Sequence, residues 1–287
     1  MRLMMPAALA ATAAALAIAS GPNLQHPADT TVPPVEIVTI APGSFDFRLP
    51  GEYLEAERPT DAPKRATTFR RAFEIMRYQV SVADYADCVA EKACEAPEGG
   101  RTASSDLPVT GVSYRDATAY AAWLSARTGE TWRLPSDAEW AFAAAERVRD
   151  EALDLPQDPE NPAARWLARY RSEAGAATRD AEPKPLGYFG PNSKGLEDVA
   201  GNVWEWTTTC YLRAIVARDG RIAHRTENCG VRVVAGRHRG YMSTFIRDGR
   251  SGGCAAGLAP DNLGFRLVRE KPSLVSYMRG LWGRAAG

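Results

Sequence analysis

The residues from Asp198 to Trp206 combine two carboxylates, one glycine and two indoles. Asp198 and Glu205 can each place an anionic oxygen on one cation, and an irregular backbone between them can add carbonyl oxygens. Oxygen ligands of these kinds are the ones that Ca²⁺ prefers. Trp204 and Trp206 would then anchor this turn in a core. The alternative is a tight turn that leads into an aromatic strand, with both acids solvated.

Five cysteines form a second group of residues with possible chemistry. Cys88 and Cys94 are close enough in sequence to close a short loop, and Cys210 and Cys229 bracket a polar stretch whose ends they would join. We predict these two disulfides because the N-terminal residues, described below, indicate an oxidising compartment. Cys254 is then left as a thiol.

The remaining polar residues show no arrangement typical of the common enzyme classes. The sequence lacks the order of a Ser/His/Asp triad, a phosphate-binding glycine loop and zinc-type Cys/His spacing. The 35 basic residues balance the 35 acidic residues, so the formal net charge is zero. This balance does not favour nucleic acid or a membrane surface as a partner.

The N-terminal residues resemble an export signal. Arg2 supplies a positive start, residues 4–18 are apolar and rich in alanine, and Ala17-Ile18-Ala19 fits a small-x-small cleavage pattern. We predict a signal peptide over residues 1–19 and a periplasmic or secreted protein, with no stable membrane span after signal removal. An uncleaved anchor is the alternative. Residues 20–34 are predicted to be a flexible N-terminus because they are rich in proline and polar residues.

Local patterns predict both strands and helices in the first half of the chain. Alternating apolar residues predict strands over residues 35–40 and 73–80. A serine followed three residues later by an acid predicts a helix start at Ser113 and at Ser136. Ser81 is predicted to begin another helix.

The second half of the chain has a less regular pattern. A charged, proline-rich insertion contains one predicted short helix over residues 163–172. From residue 186 to residue 269 glycines recur throughout, which predicts short strands and long ordered loops. Residues 271–287 are predicted to form a C-terminal tail.

Four blocks of sequence together resemble the formylglycine-generating enzyme family, also called sulfatase-modifying factors. They are Leu107-Pro-Val-Thr-Gly-Val-Ser-Tyr-Arg-Asp, Trp132-Arg-Leu-Pro-Ser-Asp-Ala-Glu-Trp, Gly201-Asn-Val-Trp-Glu-Trp and Asn262-Leu-Gly-Phe-Arg. The likeness covers nearly all of the chain after the signal. It implies one family domain over residues 35–270, with an α+β fold related to the C-type lectin fold and little regular secondary structure.

The resemblance also implies a structural calcium site in the tract described first. Carried over residue by residue, its ligands are the side chains of Asp198 and Glu205 and the carbonyl oxygens of Gly201 and Val203. Asp198 stands where the family usually has asparagine, which keeps an oxygen ligand and adds a charge. A second calcium site of the family would lie between residues 163 and 180, and no matching ligands are found there.

The catalytic residues of the family do not carry over to this sequence. Formylglycine-generating enzymes bind copper(I) through two cysteines, since soft thiolates select cuprous ion. One alignment puts Tyr241 and Ile246 at those positions, and another puts Ser243 and Asp248 there. Neither alignment supplies a thiol, so we do not expect a copper cofactor.

Two hypotheses of function follow from this combination. The first is a binding or enzyme-maturation accessory factor with an unidentified protein or small-molecule partner and without formylglycine-generating activity. The alternative is an oxygen-dependent oxidoreductase of the same family that uses other residues. Its candidate catalytic residues are His238, Tyr241, Asp248 and Cys254.

Overall fold

The computed structural model describes residues 34–99, 104–155, 161, 163–176, 182–252, 260 and 262–270. The predicted signal peptide, residues 20–33, Cys254 and the predicted C-terminal tail lie outside these ranges. The described residues, which begin at Pro34, belong to one compact unit. Within the described ranges, no helix combines the length and the apolar character that a membrane span requires.

Three sheets make up the β structure of the described chain. The first has the strand order β1-β6-β12-β7, the second has the order β10-β9-β8-β3-β4 with β11 paired to β8, and β2 pairs with β5. The strand bounds are β1 Ile37–Ile40, β2 Gly43–Arg48, β3 Glu52–Glu55, β4 Arg58–Thr60, β5 Lys64–Phe69, β6 Phe73–Met76, β7 Thr131–Arg133, β8 Trp204–Val216, β9 Ile222–Ala235, β10 Gly240–Ser243, β11 Leu263–Gly264 and β12 Val268–Glu270.

The three helix starts that the sequence predicts are confirmed by their N-terminal caps. Ser81, Ser113 and Ser136 each accept a hydrogen bond from the third helical N–H, and the acid at that position bonds back to the serine N–H. These reciprocal bonds satisfy donors that every helix start leaves unpaired. The helices are α1 Val82–Ala90, α2 Tyr114–Thr128, α3 Asp137–Ala144, α4 Ala164–Ala176 and the single turn α5 Gly249–Gly252.

The prediction of only short strands after residue 186 is wrong. β8 and β9 contain 13 and 14 residues and form a long antiparallel hairpin with register shifts near Cys210 and Ile215. The disulfide Cys210–Cys229 joins the two strands at one such shift, with a Cα–Cα distance of 4.5 Å. The polar stretch between these cysteines is therefore the outer part of the hairpin. Cross-strand hydrogen bonds support it although its sequence is weakly apolar.

The core lies between the first sheet, the β2–β5 pair and α3. Ile40, Ile75, Trp140 and Val268 are among its buried members. Phenylalanines from β2, β5, β6 and α3 pack together at one side, where the rings of Phe69 and Phe142 stack with centroids 4.9 Å apart. This packing fixes α3 beside β8 and β9, which carry the residues of the candidate site.

Candidate functional site

The turn before β8 buries the carboxylate of Asp198. Asp198 and Ala200 both have a φ of 57°, a left-handed conformation that aspartate tolerates better than most residues. The two Asp198 carboxylate oxygens accept hydrogen bonds from the backbone N–H groups of Gly187, at 2.6 Å, and Phe189, at 2.8 Å. Burial raises the pKa of Asp198 in spite of these bonds. The carboxylate thus closes the loop from residue 187 onto the turn.

Glu205, the second residue of β8, is fully buried among four protein donors. Its Oε1 accepts from Gln79 Nε2 and from Arg266 Nη2, both at 2.8 Å. Its Oε2 accepts from Trp140 Nε1 at 2.9 Å and from Arg266 Nε at 2.6 Å. A carboxylate offers about four lone-pair positions, so these bonds use its whole accepting capacity.

Arg266 is the cation at the centre of this cluster, and its side chain is also fully buried. Besides its two bonds to Glu205, its guanidinium donates to the carbonyl oxygens of Met76, Arg77 and Glu197 at 3.4, 2.8 and 3.0 Å. One carboxylate and three carbonyls therefore converge on one positive charge. A buried charge is stable only when it is paired and hydrogen-bonded to this degree.

The residues present do not fit the calcium ligand set that the resemblance implied. Glu205 has no lone pair left for a cation, and a divalent ion beside its carboxylate would face the Arg266 guanidinium at close range. Arg266 supplies the positive charge that an ion would otherwise supply to Glu205.

His238 follows β9 and lies against the first tryptophan of the opening tract. Its ring makes an edge contact with the Trp204 indole at a centroid distance of 5.3 Å, and its carbonyl accepts from Trp204 Nε1 at 2.9 Å. The indole also covers Gly236, where an added Cβ would lie 2.7 Å from the ring. Any side chain at Gly236 would therefore displace Trp204 and, with it, His238.

The other candidate catalytic residues have separate surroundings. The Tyr241 hydroxyl accepts from the Gly51 N–H at 2.7 Å, and burial raises the pKa of this tyrosine. Asp248 pairs with Arg250 at 3.2 Å near the surface. No hydrogen bond, ion pair or ring contact joins His238, Tyr241 and Asp248 among the described residues. These three candidates therefore have separate partners in the described part of the chain.

The disulfides determine how many thiols the chain can offer. Cys88–Cys94 and Cys210–Cys229 are both present, as predicted, with S–S distances of 2.00 and 2.01 Å. They use four of the five cysteines of the sequence, so Cys254 alone is left. A two-thiolate copper site cannot be built from one thiol.

A buried ionic cluster next to His238 was not predicted from the sequence. Arg239 Nε lies 3.0 Å from Asp137 Oδ2, and its Nη1 lies 3.2 Å from Glu151 Oε2. The Asp137 side chain is 2% exposed, and burial raises its pKa. The only sequence signal was an acid within the first turn of α3, where an acid is ordinarily explained by the helix dipole.

A protein-family comparison matches residues 23–271 to the model described as a sulfatase-modifying factor enzyme 1-like domain. The chain belongs to the sulfatase-modifying factor family. Its α+β fold is accordingly the C-type lectin-like fold of that family, as the resemblance implied. The buried Glu205–Arg266 pair joins two of the blocks on which the resemblance was based.

Known members of the sulfatase-modifying factor family resemble the chain to different extents. The mouse protein named inactive C-alpha-formylglycine-generating enzyme 2 is 31% identical over 174 residues, which cover 60% of this chain and 52% of that protein. Hercynine oxygenase of Mycobacterium tuberculosis is 35% identical over 123 residues, covering 39% of this chain and 26% of the oxygenase. The chain thus spans about half the length of the mouse relative and about a quarter of the length of the oxygenase.

One solved structure supports the fold of this sulfatase-modifying factor domain. PvdO from Pseudomonas aeruginosa aligns with a TM-score of 0.51 and 24% identity, covering 82% of this chain and 94% of that one. At this identity the likeness concerns the fold.

Proposed function

We propose that this chain is an exported sulfatase-modifying factor that acts as a binding or enzyme-maturation accessory factor and does not perform the two-cysteine copper chemistry. The observation that supports the proposal is the cysteine count. Two disulfides leave one thiol, and the aligned positions hold Tyr241 and Ile246 or Ser243 and Asp248. Cuprous ion selects soft ligands, and none of these four side chains is a thiolate.

The contacts described for this domain stabilise its fold. Glu205 and Arg266 neutralise each other in the core, and Trp204 holds the segment that carries His238. A scaffold that preserves its fold-defining contacts while its reactive positions differ is suited to binding. One relative is named as an inactive formylglycine-generating enzyme, which agrees with this proposal.

Export to an oxidising compartment is part of the same proposal. Its support is the apolar, alanine-rich segment at residues 4–18 and the two disulfides, since disulfides persist where thiols are not kept reduced. Fractionation of the native host followed by N-terminal mass analysis tests it. We expect mature protein outside the cytoplasm, beginning near residue 20. Protein that is confined to the cytoplasm with residues 1–19 attached would refute this part.

The catalytic part of the proposal is tested with a peptide that contains Cys-x-Pro-x-Arg. Purified protein, supplied with copper and oxygen, is incubated with the peptide, and the products are analysed by mass spectrometry and with an aldehyde-reactive probe. A formylglycine-generating enzyme in a parallel reaction serves as the positive control. We expect aldehyde in the control only. Catalytic conversion by this protein would overturn the proposal.

A further inference from the structure

A cleft of about 380 Å³ lies between β2, the C-terminal end of α3 and the loop that carries Lys194. This volume falls within the range of small-molecule sites, which runs from roughly 300 to 1,000 Å³. The apolar part of its lining includes Phe45, Phe142 and Val148. The rings of Phe45 and Phe142 lie 5.2 Å apart and are tilted by 44°. Phe142 is buried against Phe69 and the Lys194 ammonium, so the aromatic surface that the cleft offers to a flat apolar group is that of the half-buried Phe45.

The polar part of the lining is predominantly positive. Five basic and two acidic side chains line the cleft. Three of the basic ones have carboxylate partners, because Arg48 and Lys64 share Asp150, and Arg239 pairs with Asp137 and Glu151. The positive charge available to a ligand therefore comes from the other two basic residues.

Those two residues are Lys194 and Arg149, which make no ion pair among the described residues. The Lys194 ammonium lies 3.3 Å from the centre of the Phe142 ring and donates to the Phe142 carbonyl at 2.5 Å. The charge of Glu146 acts on Lys194 without an ion pair between them, and its carboxylate oxygens accept hydrogen bonds from the N–H and the hydroxyl of Ser193. An ammonium has three donors, so Lys194 keeps capacity for an anion beside the aromatic surface.

The backbone next to this ammonium is strained. Ala145 lines the cleft with φ 49° and ψ −119°, a conformation that is costly for any residue except glycine. Residues held in such conformations cluster at ligand-binding sites, where the surrounding structure maintains them. This observation is independent of the charges and lies at the same place.

We propose that this cleft binds a small molecule that carries a carboxylate next to an aromatic ring. The ring packs on Phe45, and the carboxylate accepts hydrogen bonds from Lys194 and Arg149. Partial burial lowers the pKa of Lys194, and the charge of Glu146 opposes this shift. The inference concerns the cleft alone, and it stands whether or not the protein is exported or converts a peptide.

The test uses 3-phenylpropionate as the probe, with its neutral amide and acetate as matched compounds, and measures binding by saturation-transfer NMR and calorimetry on the full chain. We expect the carboxylate to bind at least about tenfold more tightly than the amide, since a charge-assisted hydrogen bond contributes that much or more. Acetate should bind too weakly to detect because it lacks the ring. Equal binding of the carboxylate and the amide, or no binding of either, would overturn the proposal.

Variants separate the cleft from nonspecific attraction. Lys194→Gln and Arg149→Gln should each weaken binding of 3-phenylpropionate several-fold and leave the weaker binding of the amide unchanged. Arg225→Gln removes one positive charge from the distant β8–β9 hairpin and should have no effect. Arg149 is exposed and unpaired among the described residues, so its replacement does not endanger folding. If Arg225→Gln weakens binding as much as the cleft variants do, the cleft is not the site.

Discussion

Replacement of Arg266 by methionine tests the role of the buried ion pair. The substitution removes two charge-assisted hydrogen bonds to Glu205, each of which contributes about 1.5–3 kcal/mol. It also leaves a carboxylate in the core without a counter-charge, and breaking a buried pair in this way costs about 3–5 kcal/mol. We therefore expect Arg266→Met to lower the free energy of unfolding by about 4 kcal/mol. The corresponding fall in Tm is on the order of 10 °C for a domain of this size.

The assay is urea unfolding followed by circular dichroism and tryptophan fluorescence, with two further variants. The double variant Glu205→Gln/Arg266→Met removes both charges and should be more stable than Arg266→Met alone, because no unpaired charge is then buried. Arg213→Met changes an exposed arginine on β8 and should cost less than about 0.5 kcal/mol. A loss below 1 kcal/mol for Arg266→Met, or a double variant less stable than that single variant, would refute the reasoning.

Three further predictions concern metal, backbone strain and pH. Treatment with a calcium chelator, or addition of calcium, should leave Tm unchanged, because Arg266 supplies the charge; a calcium-dependent rise in Tm would contradict this. Ala145→Gly should raise the free energy of unfolding in urea by about 1 kcal/mol. The reason is that relief of roughly 1–3 kcal/mol of strain exceeds the smaller entropic cost of glycine. A loss of stability would show that Ala145 is not strained. Burial opposes ionisation of Asp116, but hydrogen bonds from Arg247 and Ser113 lower its pKa. Arg247→Gln should therefore lower the free energy of unfolding by about 1–3 kcal/mol at pH 7. This loss should disappear as the pH falls from about 4 through the pKa of Asp116 in the folded protein. An equal loss at pH 7 and pH 3 would exclude Asp116 as its source.

Local interactions explain which parts of the fold were predictable from sequence. The caps at Ser81, Ser113 and Ser136 depend on residues three positions apart, so the sequence predicts each helix start. The β8–β9 hairpin was not predicted because its outer half is polar, and its strands are defined by pairing with each other. The cysteine pair at residues 210 and 229 was the available signal, since a disulfide there requires the two segments to lie side by side.

The candidate site shows the same division between local and distant information. The turn that contains Asp198 and Glu205 stands out in the sequence, but the partner of Glu205 lies 61 residues later. An arginine within the apolar run Leu263-Gly-Phe-Arg-Leu-Val268 does indicate a buried charge that needs a partner. The cleft could not be predicted, because Phe45, Phe142 and Lys194 come from three separate elements and meet only in the folded chain.

The central claim is that the chain offers at most one thiol and so has no two-thiolate copper site. Counting the thiols of the protein tests this claim most directly. Protein purified without reductant is denatured, alkylated, digested and analysed by mass spectrometry. The account predicts alkylation at Cys254 only, with Cys88 linked to Cys94 and Cys210 linked to Cys229. Alkylation of any of these four cysteines, or a disulfide that includes Cys254, would contradict it.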